Sequence, residues 1–153
     1  MAEIIAGITV TSEKTEVVIL KYDAGDFELV SSKKISLQKG GIPEAYRVLA
    51  QQLDALLRTT KANCVCIKAT EAGRAVRKSH LDSAETRGVI IAAAAAVTEV
   101  KLVKKSSVSK TFGNRKVDEY LKDKQFWDDA GLETLPIGMR EAAFTAISVF
   151  KGK

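Results

Sequence analysis

The side chains with the chemistry of nucleophiles or soft metal ligands are few: Cys64, Cys66 and the single histidine, His80. A structural zinc needs four nitrogen or sulfur ligands at finger-type spacing, and two Cys with one His fall short of that within one chain. No metal and no cofactor is therefore expected. On a strand, residues two apart point to the same face with their Cα atoms in one chain, a poor disulfide geometry, so Cys64 and Cys66 read as buried core thiols. A serine or cysteine nucleophile needs a base and a sharp strand-to-helix elbow; no Gly-x-Ser-x-Gly precedes a helix, and His80, in a polar stretch, reads as a solvated loop residue. No glycine-rich phosphate loop follows the first apolar run. Gly7 lies inside that run, where a glycine marks close packing.

The other residues with chemical potential are cations. The chain carries 24 Lys and Arg against 19 Asp and Glu, a net charge of +5 that attracts a polyanion or an acidic partner. Arg74, Arg77 and Lys78 fall in the polar stretch 70–82. From 101 to 116 there is no acid at all, while Lys104, Lys105, Lys110, Arg115 and Lys116 are present with Ser106, Ser107 and Ser109, which can cap helices or contact phosphate. Phe112 and Trp127 are the nearest aromatics, too few to argue for base stacking.

These residues must be positioned by elements that the pattern predicts. A chain of 153 residues with 46% hydrophobic and 28% charged side chains fits one domain, 1–153, large enough for a core of its own. The start has no basic leader before a long apolar stretch, and GVIIAAAAAV is about half a membrane span, so a cytoplasmic protein with no membrane partner is expected. Short β-branched runs predict strands over 4–11, 16–22 and about 27–37, consecutive and antiparallel neighbours. After Gly40 and Gly41, Pro43 and Glu44 open a helix whose stripe is Tyr46, Leu49, Ala50, Leu53, Leu56 and Leu57. The near-continuous apolar run 64–69 predicts a central strand. A helix over 84–98 follows, with the small face Ala92 to Ala96, then a half-buried strand over 99–104, a short helix near 115–123, a loop holding Trp127, Gly131 and Pro136, and a closing helix over 138–150.

The order β-β-β-α-β-α-β-α resembles the RNase H-like fold, an α/β mixed five-stranded sheet flanked by helices. Four segments resemble its RuvC resolvase-type branch in particular. IIAGITVTS is similar to that branch's first strand I-I-x-G-I-D-P-G-S, and CVCIKA to a fourth strand ending in Glu. AETRGVIIAAAAAV is similar to its A-R-G-x-x-x-A-A-A helix, and GMREAAFTAISVF to its closing D-A-A-D-A-x-A-x-A helix. The chain also resembles a family of short bacterial proteins of unknown function that share a strand ending in Ile-Lys and a segment close to E-x-A-F-T-A.

The resemblance implies a nuclease site of four carboxylates holding two divalent metals. Superposing the motifs puts Thr9, Lys68, Arg140 and Ala143 at those positions, none of them an anion, so two-metal catalysis is not expected. A shift of one residue would instead bring in Glu141, and Glu71 lies just past Lys68; these two are the fallback for a displaced acidic site. Where the family meets phosphate through metal, Lys68 and Arg140 could meet it directly, or could simply pair with Glu141 and Glu71. Three functions follow: a non-catalytic nucleic-acid- or phosphate-binding protein using Lys68, Arg74, Arg77, Lys78, Lys104, Lys105, Lys110, Arg115, Lys116 and Arg140; an interaction scaffold forming a homodimer through helix 84–98; and a metal-dependent nuclease with a relocated site.

Overall fold

The β-branched runs at the start of the chain form three consecutive strands, β1 (Glu3–Val10), β2 (Lys14–Asp23) and β3 (Asp26–Ser36), paired antiparallel in sequence order. They are seen in a computed structural model that describes residues 2–70, 77–113 and 115–151, the side chains of Ser109 and Lys151 excepted. Between β2 and β3 only Ala24 and Gly25 intervene, both at positive φ (54° and 90°), the two-residue turn whose twist matches that of the flanking strands.

Helix α1 (Ile42–Thr60) begins one residue before Pro43 and buries Ala45, Leu49, Leu53 and Leu57, a row at four-residue spacing. It ends on Lys61 in the left-handed conformation, whose N–H donates to the carbonyls of Leu57 and Arg58. The helix returns the chain so that β4 (Cys64–Lys68) runs parallel to β1. Helix α2 (Lys78–Ala95) makes the second crossover, to β5 (Glu99–Val103), parallel to β4. The sheet order is β3-β2-β1-β4-β5. Helices α3 (Lys105–Thr111), α4 (Val117–Lys122) and α5 (Lys124–Asp129) then lead through a 3-10 turn at Ile137–Met139 into α6 (Arg140–Lys151).

Side-chain alternation divides the sheet between two cores. Ile5, Val18, Leu20, Cys64 and Cys66 face α6 and an aromatic cluster of Tyr120, Trp127 and Phe144. Ala6, Ile8, Val17, Ile19, Val65 and Ile67 face α1 and α2. The two cysteines are buried on one face of β4, as the spacing predicts.

Four sequence expectations are corrected. Residues 78–82 belong to α2, not to a loop, and that helix ends at Ala95, so His80 lies in its first turn. Part of the basic stretch 101–116 is the helix α3, and the segment expected to be a loop around Trp127 contains α5, with Trp127 fully buried and out of reach of a base. Of the alanine run, Ala94 is buried in the core and Ala93 packs half-buried against it, while Ala92, Ala95 and Ala96 are exposed. None of the described helices is long and apolar enough to cross a membrane.

Gly7 fixes where α6 lies. A Cβ there would stand 1.9 Å from the carbonyl oxygen of Ala142 and 3.1 Å from the Ala146 Cβ, so the helix backbone rests directly on β1. Gly7→Ala is expected to lower stability by about 1–3 kcal/mol or more, because the obstacle is backbone that cannot rotate away. Gly88→Ala, in open space on α2, should leave stability unchanged or raise it slightly. Denaturant midpoints of the two variants check both.

Candidate functional site

The same alternation that builds the cores puts polar residues at one end of the sheet. On β1, Thr9 follows Ile5 and Gly7 on the α6 face; on β4, Lys68 follows Cys64 and Cys66; on β2, Glu16 precedes Val18 and Leu20. Thr9 pairs with Glu16, and Ile8 pairs with Ile67, so Thr9 and Lys68 end adjacent parallel strands side by side. This is where the sheet changes connection, the crevice at strand carboxyl ends in which open α/β sheets place ligands. The first turn of α6 supplies Glu141, whose Oε1 accepts a hydrogen bond from the Lys68 ammonium at 2.9 Å.

The cleft has two chambers that share Lys68 and Arg87. The inner one, ≈ 310 Å³, is bounded by Thr9, Glu16, Gly138 and Glu141. Glu16 is 7% exposed, and the Lys14 ammonium is 3.6 Å from its carboxylate. The outer chamber, ≈ 540 Å³, is bounded by Ser12, Thr70 and the α2 residues Ser79, His80 and Ser83. Arg87 is 8% exposed; its Nη1 donates to Thr70 Oγ1 at 2.6 Å and its Nη2 to the Val10 carbonyl at 3.2 Å. Burial draws its pKa below the ordinary guanidinium value, since the charge is taken from water into contact with neutral oxygens.

Sequence reasoning placed Thr9 and Lys68 at the cleft, and both line it. It aligned Arg140 and Ala143 with them, whereas the residue of α6 that faces Lys68 is Glu141. Arg140 is turned aside: its Nη1 donates to the Leu121 carbonyl at 2.9 Å, and its guanidinium carbon is 5.8 Å from the centre of the Trp127 ring. Ala143 is fully buried in the α6 core. Of the two alternatives left open by the sequence, Lys68 takes the pairing with Glu141 and does not converge with Arg140, because one residue along a helix turns a side chain by about 100°. Glu71 and Arg74 lie outside the described residues.

Among the other cations, Arg77 and Lys78 open α2 and Lys104 and Lys105 follow β5, all at the cleft end of the sheet, with Lys105 bordering a recess beside Lys68 and Glu141. Lys110 is in the last turn of α3. Arg115 is committed to structure, with hydrogen bonds to Asp123 and the Glu119 carbonyl and its guanidinium 4.6 Å from the Tyr120 ring centre; this partner holds the Asp123 carboxyl below its usual range. Lys116 caps α4, its backbone N–H donating to Glu119. Glu16 and Arg87 were missed. Glu16 carries no motif in sequence, while Arg87 stands within the very segment AETRG that was read only as a family likeness.

Divalent cations of the hard kind need several anionic oxygens. Here the strand ends offer a hydroxyl and an ammonium, and among the described residues no three His, Cys, Asp or Glu side chains are grouped to hold a metal ion. The inner chamber holds two carboxylates among the described residues, Glu16 and Glu141, with the Lys68 ammonium bonded to the second, and this set does not fit the pair of divalent ions that the family likeness implies.

Five strands in this order, with the closing helix laid over β1 and β4, define an RNase H-like fold of the RuvC type. The chain superposes on Thermus thermophilus RuvC with a TM-score of 0.77 at 13% identity, covering 99% of this chain and 94% of that one. The same protein in complex with a Holliday junction substrate matches with a TM-score of 0.75 at 12% identity over the same shares. The yeast mitochondrial Holliday junction resolvase matches with 0.64 at 10% identity, over 97% of this chain and 78% of that one. At such identities the likeness is one of fold. No family model matches the sequence, and no curated protein matches it.

Replacing Arg140 by Met removes the bond to Leu121 and the contact with Trp127, and is expected to destabilise the fold by about 1–3 kcal/mol. Ligand affinity should stay within about twofold under native conditions, well inside the tenfold that 1.4 kcal/mol would give. Thermal unfolding beside a binding titration separates the two effects; a large loss of affinity at unchanged stability would return Arg140 to the interface.

Proposed function

We propose that this protein is a single-domain, non-catalytic nucleic-acid-binding protein of the cytoplasm, one that meets phosphate with side chains where RuvC-type nucleases meet it through metal. The observation that carries the reading is the ion pair between Lys68 and Glu141 at the ends of β1 and β4. An ammonium 2.9 Å from the Glu141 carboxylate engages that oxygen and opposes the charge of any divalent ion brought to it. Arg77, Lys78, Lys104 and Lys105 rim that end of the sheet and supply the phosphate contacts. Support from fold comes from two neighbours seen with Holliday junction DNA, T. thermophilus RuvC and, with a TM-score of 0.57 at 15% identity, the Fowlpox virus resolvase.

Phosphate-dominated binding weakens steeply with salt: about four contacts give a slope near −3.6 in log affinity against log salt for duplex DNA. Lys104→Glu with Lys105→Glu should reduce that slope by roughly two and weaken binding to all sequences alike. Branched and linear DNA incubated with magnesium or manganese should remain uncut. The Thr9→Asp, Lys68→Glu variant, which joins two new carboxylates to Glu141, should gain manganese binding by calorimetry. Cleavage by the unaltered protein would establish the relocated-site nuclease instead.

A homodimer through α2 belongs to the same reading. Leu81, Glu85, Gly88, Ala92 and Ala95 are exposed and recur at intervals of four and three, a seam that a second helix can pack along closely because three of its members are small. Gly88→Arg should shift the mass measured by light scattering from dimer to monomer without altering the fold; a monomer in both proteins would remove the seam from the proposal.

A further inference from the structure

We propose that the outer chamber of the cleft is a discrete phosphate site, in which Arg87, Lys68 and the Ser79 hydroxyl hold one phosphate group of a nucleotide or nucleic acid strand. This rests on the nucleic-acid reading above and names the group and the residues that would grip it.

Arg87 motivates the site. It is more than nine-tenths buried and borders the chamber, yet its hydrogen bonds to Thr70 and Val10 go to neutral oxygens, and no carboxylate pairs with it among the described residues. Its Nε has no hydrogen-bond partner there. A buried guanidinium without an anion is costly, and a fork of five donors suits a tetrahedral anion with several acceptors.

The second observation concerns the start of α2. Ser79 and Ser83 both border the chamber, one turn apart, with the Ser83 hydroxyl donating to the Ser79 carbonyl at 2.8 Å. Ser79 lies in the first turn of an 18-residue helix with no side-chain cap and no acid in that turn, which leaves the positive end of its dipole uncompensated by its own sequence. His80 borders the same space.

The charge distribution then selects the anion's position. Glu16 and Glu141 border the inner chamber, whereas the described residues around the outer one include Lys68, Arg87 and hydroxyls but no carboxylate. An anion is repelled from the inner side of the cleft and drawn to the outer side.

The experiment titrates the protein with inorganic phosphate against chloride at equal ionic strength, following the backbone amides of residues 79–83 by NMR and the melting temperature. Phosphate should perturb those amides and raise the melting temperature, and chloride should do neither. Ser83→Asp puts an anion into the chamber at a helical position that tolerates one, so it should fold normally and lose phosphate binding. Arg87→Lys, which keeps the charge and loses the fork, should weaken binding about tenfold. Equal responses to the two anions, or wild-type phosphate binding by Ser83→Asp, would overturn the site. Nucleic-acid binding without phosphate binding removes the chamber and leaves the interface standing; phosphate binding without nucleic-acid binding does the reverse. Tighter binding of a 5′-phosphorylated oligonucleotide than of its 5′-hydroxyl form assigns the site to a strand end, and equal binding assigns it to a backbone phosphate.

Discussion

The contact between the bare Cα of Gly7 and the Ala142 carbonyl is the constraint from which the site follows. With no side chain between them, α6 lies on β1 at backbone distance, and its first turn reaches the end of the sheet where Thr9 and Lys68 emerge. The neighbour of Ala142, Glu141, then meets Lys68. One residue earlier the helix has turned by about 100°, so Arg140 is carried away from the cleft to Leu121 and Trp127. A larger residue at position 7 would lift the helix and loosen all of these relations together.

Within the cleft, charge is arranged by side. Two carboxylates, Glu16 and Glu141, border the inner chamber; two cations, Lys68 and Arg87, stand between the chambers; hydroxyls border the outer one. Lys68 is balanced by Glu141, while Arg87 is surrounded by neutral acceptors among the described residues. The crevice at the strand ends thus separates its carboxylates on one side from hydroxyls on the other, with the two cations between them.

Helix α2 joins the cleft to the rest of the molecule because its inward stripe does different work along its length. Ser79, Ser83 and Arg87 face the chamber, Ile90 and Ala94 enter the core shared with α1, and the row from Leu81 to Ala95 is exposed on the opposite side from the serines. This division explains why the helix was read too short from its sequence. Lys78, Ser79, His80 and Asp82 have no apolar periodicity, since that end of the helix borders a polar cleft and solvent and packs against no core.

What the sequence determined by itself was whatever depends on local pattern: the three opening strands, the stripe of α1, the buried Cys64 and Cys66, the close-packing role of Gly7 and the order of the five strands among the helices α1, α2 and α6. The likeness of β1 and β4 to the family's strands had already placed Thr9 and Lys68 at the cleft. What only the tertiary structure decided was which distant residues meet there. Choosing Glu141 over Arg140 depends on the rotation of α6 about its axis, fixed by Gly7 from 135 residues away. Bringing Glu16 and Arg87 to the cleft depends on strand register and on how a crossover helix packs. A linear pattern records the period of a helix, but its angular setting against a sheet is a property of the packed core.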